Sequence, residues 1–82
     1  MKTTKLIQRI QKLLNRSPEE TKLKKLRKTI KQLRNKQRDL EKKLKHSHGK
    51  YQRRRLQQKI DLLYLQRGKG LEVYRRIKAE RQ

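Results

Sequence analysis

Residues 22–38 carry Lys22, Lys24, Lys25, Arg27, Lys28, Lys31, Arg34, Lys36 and Arg38, with no carboxylate among them. Ammonium and guanidinium groups at this density suit one chemistry well: they neutralise phosphate oxygens and release the counterions condensed on a polyanion. A second cluster, Lys50, Arg53, Arg54, Arg55 and Lys59, follows the stretch His46-Ser47-His48-Gly49 and has Tyr51 inside it. Arginine adds bidentate phosphate geometry and a flat face that stacks on bases, and Tyr51 beside it offers a ring to an unpaired base. Over the whole chain 28 Lys and Arg oppose seven Asp and Glu, a formal charge of +21 on 82 residues. A small domain made charged for solubility alone needs a net charge of only about 2–8, so the excess implies a polyanionic partner.

Other chemistries are poorly supplied. Glu19, Glu20, Asp39, Glu41 and Glu72 are accounted for by helix ends or by neighbouring cations, and none belongs to an acid–base pair. No enzymatic activity and no cofactor are therefore expected. His46 and His48 lie two apart with no further ligands nearby, so no metal site is expected. A better use of that stretch is electrostatic, since Ser47, Gly49 and the first N–H groups of a following helix could receive a phosphate. The absence of cysteine removes disulfides and thiolate chemistry and fits a reducing, cytoplasmic setting. No segment approaches the roughly 18 apolar residues of a membrane span, and cations interrupt the N-terminal region too often for a signal-peptide core.

Helices must position these cations. Leu6, Ile7, Ile10, Leu13 and Leu14 make one face of a helix over 3–15, with Thr3 or Thr4 as N-cap and Lys5, Arg9, Lys12 and Arg16 on the other face. Docking of that stripe on a neighbouring helix is the expected arrangement; an anionic membrane surface or a targeting presequence is the alternative. Ser17-Pro18-Glu19-Glu20 reads as a capping box opening a second helix over 18–45. Along it Leu23, Leu26, Ile30, Leu33, Gln37, Leu40 and Leu44 keep a heptad seam, with Gln37 standing at an apolar position.

A turn over 46–49, with Gly49 supplying backbone freedom, leads to a helix over 50–67 in which Leu56, Ile60 and Leu63 resume the seam. The pattern predicts an antiparallel hairpin with Leu40 near Leu56, Leu33 near Leu63 and Gln37 facing Ile60. Residues 60–65 are apolar on several faces, so they are expected to form the centre of the core and to receive the N-terminal helix. Tyr64 and Tyr74 read as core residues with polar tips. Arg67-Gly68-Lys69-Gly70 is expected to stop the helix before a short one over 71–80. The expected fold is all-α: one small domain over 1–82, a long hairpin with a short amphipathic helix at each end.

The C-terminal half resembles the family of small-subunit ribosomal protein fifteen through His46, Ser47 and Gly49 in the loop, Leu62-Leu63-Tyr64-Leu65-Gln66-Arg67, and Tyr74-Arg75. The chain departs from that family's pattern in lacking a loop aspartate and the paired arginines after the loop serine, and in a tyrosine shifted by one position. The resemblance covers about 35 residues of short motifs and implies an RNA-binding helical hairpin.

Taken with the charge, these features lead to the expectation of a ribosome-associated or other ribonucleoprotein component that contacts structured RNA, ribosomal RNA foremost, through phosphates. The residues expected to carry contact are Lys24, Lys25, Lys28, Lys31 and Arg34 on the second helix, with Lys45, His48, Lys50, Tyr51, Arg53, Arg54 and Arg55 around the turn. Two alternatives use the same residues differently: a duplex-DNA or nucleoid-associated protein, and a coiled-coil interaction module whose seam pairs between chains. Composition leaves monomer and coiled-coil dimer both open.

Overall fold

In a computed structural model the described residues are 2–16 and 22–81. They form three helices, α1 (Thr3–Leu14), α2 (Leu23–His46) and α3 (Lys50–Glu80), in a rod 48 Å long and 17–18 Å across. The fold is all-α. Leu6, Ile7, Ile10 and Leu13 of α1 are buried, as are Leu26, Thr29, Ile30, Leu33 and Leu40 of α2. From α3 come Ile60, Leu63, Gln66, Gly70 and Ile77. The helical spacing of these residues gives each helix one apolar stripe, and the three stripes close on one another. The buried Thr29 hydroxyl donates to the Lys25 carbonyl at 2.9 Å, which satisfies it inside its own helix.

α2 and α3 pack antiparallel along the rod, and α1 lies antiparallel to α2 across the half away from the turn. Arg9 Nη1 donates to Gln32 Oε1 at 3.4 Å, and Leu6 shares a surface depression with Gln32, Asn35, Lys36 and Asp39. The N-terminal stripe thus docks within the chain, with Ile10 fully buried. The α2 seam is likewise closed inside one chain, Leu26 and Leu33 being fully buried.

Several local expectations are revised. Lys2, not a threonine, occupies the α1 cap position, with no side-chain cap. The second helix starts at Leu23 rather than 18, because Lys22 is extended (φ −85°, ψ 116°) and its carbonyl accepts the first helical bond, from Leu26 N at 3.1 Å. The capping residues Ser17, Pro18, Glu19 and Glu20 lie outside the described residues.

The hairpin register differs as well. Ile30 meets the backbone of Gly70, about one helical turn further along α3 than a pairing of Leu33 with Leu63 implies, and half-buried Gln37 accepts from the long side chain of Arg67 at 3.5 Å. Of residues 60–65, Ile60 and Leu63 are buried, whereas Leu62, Tyr64 and Leu65 are 42%, 61% and 59% exposed. α1 docks further along α3 and does not cover them. Tyr74 is half-buried and packs on the core.

The main difference is at Gly68 and Gly70, where helix α3 continues unbroken to Glu80. Residues 71–80 are helical as expected, but as an extension of the third helix. Neither glycine has positive φ, and a glycine without a helix-stopping conformation costs only about 1 kcal/mol relative to alanine. At Gly70 that cost is offset by packing. A Cβ there would sit 3.1 Å from Ile30 Cγ1 and 3.2 Å from Ile10 Cδ1, so the bare backbone lets all three helices meet. Around Gly68 nothing lies within 4 Å.

The two glycines should therefore respond oppositely. Gly68→Ala is expected to gain about 0.8–1 kcal/mol from helix propensity and raise the melting temperature by roughly 4–8 °C. Gly70→Leu is expected to lower stability by about 1–3 kcal/mol or more through overpacking. Thermal unfolding followed by circular dichroism at fixed salt reads both, and a Gly70→Leu protein as stable as the parent would remove the three-helix contact. By the same measurement Gln37→Leu is expected to stabilise the rod by at most about 1 kcal/mol, since an apolar side chain at a half-buried seam position replaces one long bond from Arg67 and one exposed bond to Glu41.

Candidate nucleic-acid interface

Burying the stripes decides where each cation points. On α2 the core takes Leu26, Ile30, Leu33 and Leu40, so Lys24, Lys28 and Lys31 are carried to the far side of the helix. Lys24, Lys25, Arg27, Lys28 and Lys31 line one shallow depression there, the stems of long basic side chains making its apolar floor. Four of the five residues expected on this helix are thus brought together. Arg34 lies on another flank, in the groove between α2 and α3 with Arg27, Lys31 and Arg67.

A cleft between α1 and α2 gathers Arg9, Lys12 and Arg16 with Lys25 and Lys28, over Leu13 and Thr29. Sequence reasoning assigned no contact to the α1 cations. Their signal was present in the i, i+3 and i+4 spacing beside the apolar stripe, but only docking of α1 shows which side of α2 they meet.

At the turn, helix α2 ends at His46, and Ser47 and Gly49 are extended. Gly49 has φ −78°, a value any residue adopts, so the backbone freedom expected of this glycine is not used. The turn is held instead by Arg53, whose Nη1 donates to the carbonyls of Leu44 at 2.9 Å and Ser47 at 3.0 Å. These are carbonyls at and just past the α2 C-terminus, where a guanidinium also meets the negative end of the helix dipole. Arg53 is therefore a structural clamp as well as a surface cation. Ser47 Oγ donates to Gln52 Oε1 at 3.3 Å, and the first turn of α3 has no side-chain cap.

The remaining turn residues separate. Lys45, His48, Lys50, Tyr51 and Arg54 are exposed. Arg55 places its guanidinium carbon 5.9 Å from the centroid of the Tyr51 ring, within cation–π range. Arg55 also lines an open groove with Lys42, Lys43, His46, Leu56 and Lys59. Lys59 belongs to the second basic cluster of the sequence, whereas Lys42 and Lys43 are not singled out there; their signal is position, flanking the seam residues Leu40 and Leu44.

Carboxylates do little to quench this field. Glu41 accepts from Gln37 Nε2 at 3.0 Å and Asp61 from Gln57 Nε2 at 2.8 Å. Glu72 pairs with Arg76 at 3.5 Å on an exposed face, an arrangement worth little in water. Among the described residues no three histidines or carboxylates converge as a metal site would require, and no helix is long and apolar enough to cross a membrane.

No family model, curated protein sequence or solved structure matches this chain. Its surface is cationic around the rod and offers charged grooves on more than one side.

Neighbouring arginines allow a direct check. Arg53→Ala is expected to destabilise the turn by about 1 kcal/mol through loss of its two carbonyl bonds, whereas Arg54→Ala should leave stability within about 0.5 kcal/mol. Urea unfolding of the two variants separates them, and equal stabilities would deny Arg53 its clamping role.

Proposed function

We propose that this protein binds structured RNA by its phosphates, as a component of a ribosome-associated or other ribonucleoprotein particle in the cytoplasm. The observation that carries this reading is a helical rod with cations of all three helices exposed around it and few carboxylates to answer them. A floppy basic tail neutralises phosphates but loses chain entropy on doing so. Here the apolar stripes hold the charges in place before the ligand arrives, so less ordering is required on binding.

Several features favour folded RNA over duplex DNA. Proteins that read a DNA major groove present one recognition helix with a few base-reading side chains. This rod instead offers the depression over Lys24, Lys28 and Lys31, the α1–α2 cleft and the turn groove. That distribution suits a ligand that surrounds the protein with phosphates from several directions, as a folded RNA does. A coiled-coil partner on the α2 seam would have to displace α1 and α3 from residues they bury completely.

Affinity for a folded RNA should fall linearly on a log–log plot against salt, by about 0.7–0.9 units per phosphate contact. With roughly six contacts engaged, the loss between 50 and 200 mM salt is expected near three orders of magnitude. Filter binding or fluorescence anisotropy measures the slope, and a flat response would remove the phosphate mechanism. Competition at matched salt between the folded RNA and a duplex DNA of equal charge tests the choice of ligand; a preference for the duplex would transfer the reading to DNA.

A further inference from the structure

We infer that the turn end of the rod is a site for an unpaired RNA base held between flanking phosphates. The inference rests on the RNA reading above and adds what that reading lacks, a place where the protein touches a base.

Ile10 sits against Gly70 and Ile30, and Leu6, near the start of α1, lies by Asn35 and Asp39. Between there and the turn, among the described residues, α2 and α3 alone line the groove that α1 fills elsewhere. Its volume is about 610 Å³, within the range of roughly 300–1,000 Å³ typical of small-ligand sites. Half-buried Leu56 gives it an apolar floor, and Lys42, Lys43, Arg55 and Lys59 surround that floor with positive charge and no carboxylate.

This pairing of apolar floor and cationic wall matches a nucleotide, whose base is flat and weakly solvated on its faces while its phosphates are fully charged. Bases inside a paired helix are stacked and unavailable, so the floor can take only one that is unpaired. At the same end Tyr51 is 74% exposed, and Arg55, which lines the groove, lies over its ring. Tyr51 stands beside the groove and Arg55 links the two, so a base entering over Leu56 meets Arg55 in the groove wall and the exposed Tyr51 ring at its edge. Gln52 also lines the groove. Its amide oxygen is engaged by Ser47 Oγ, which leaves the amide nitrogen as a donor for a carbonyl or ring nitrogen on the base edge. Leu62 and Leu65 are exposed on the same helix and line none of the grooves described above.

The experiment uses the full chain and two RNA hairpins, identical except that one carries a single bulged 2-aminopurine. Binding is followed by anisotropy of an end label and by the 2-aminopurine emission. The bulged hairpin is expected to bind roughly ten-fold more tightly, with emission altered by stacking. Tyr51→Ala is expected to abolish that preference while retaining affinity for the paired hairpin, and Tyr51→Phe to keep it. Tyr51 is exposed, and unchanged circular dichroism of both variants confirms that the fold is intact. Equal affinities with unchanged emission, or a preference that survives Tyr51→Ala, would overturn the inference and leave phosphate binding standing. Failure to bind either hairpin would instead remove the RNA reading on which it rests.

Discussion

The contact of Ile10 and Ile30 with the bare backbone at Gly70 brings the three helices to one place, and the rest of the rod is organised around it. The approach is close, 3.1–3.2 Å from where a Cβ would stand, and no other side chain than hydrogen permits it without displacing a neighbour. Away from the turn, where Arg53 bonds the Leu44 carbonyl at 2.9 Å, the side-chain hydrogen bonds between helices among the described residues are long. Arg9 reaches Gln32 at 3.4 Å and Arg67 reaches Gln37 at 3.5 Å, while the ion pair between Glu72 and Arg76 lies within one helix. Cohesion therefore comes from apolar burial, which has no directional preference but rises with the area excluded from water. Close packing at Gly70 increases that area where the chain has few apolar residues to contribute.

Opposing this is the charge. At +21 on 82 residues, self-repulsion favours an expanded chain, and it is weakened only by salt or by a polyanion. A ligand that binds the folded rod and not the unfolded chain adds its binding free energy to the stability of the fold. Folding and phosphate binding are thus linked in both directions. The stripes give the cations fixed places, and neutralising the cations relieves the strain that their assembly imposes. The α1–α2 cleft shows this most directly, because docking of α1 brings Arg9, Lys12 and Arg16 toward Lys25 and Lys28, a contact that improves only when anions enter it.

Much of this arrangement was legible in the sequence. The heptad seam of α2 and the resumed spacing at Leu56, Ile60 and Leu63 state an antiparallel hairpin, because period and turn together leave no simpler way to bury both stripes. The α1 stripe announced a docked helix for the same reason. What the sequence withheld were distinctions that one residue type expresses in two ways. Glycine both breaks helices and permits their close approach, and at Gly68 and Gly70 the second use at one position carried the helix through both. The apolar run at 60–65 also had two readings, a helix buried on several faces or one leaving Leu62, Tyr64 and Leu65 in solvent. Only the length of α1 and its place along α3 decide between them. Register is similar, since apolar positions recur along both helices and nothing local ties Ile30 to Gly70 rather than to a residue one turn earlier.

The three consecutive arginines after the turn show how geometry divides what composition lumps together. Successive residues on a helix point about 100° apart, so Arg53, Arg54 and Arg55 cannot serve one surface. Arg53 turns back to the carbonyls of Leu44 and Ser47 and fixes the angle at which the two helices meet. Arg54 faces solvent. Arg55 lies over Tyr51 and lines the groove that α1 leaves open. The clamp has a functional consequence, because the groove walls belong to different helices. Lys42 and Lys43 stand on α2, Arg55 and Lys59 on α3, and the turn between them uses extended backbone without a left-handed residue to set its geometry. Without Arg53, little at the turn itself fixes the distance between those walls. The same cationic side chain type thus builds the turn, charges the outer face and furnishes the groove, and the assignment of each follows from its angle around α3.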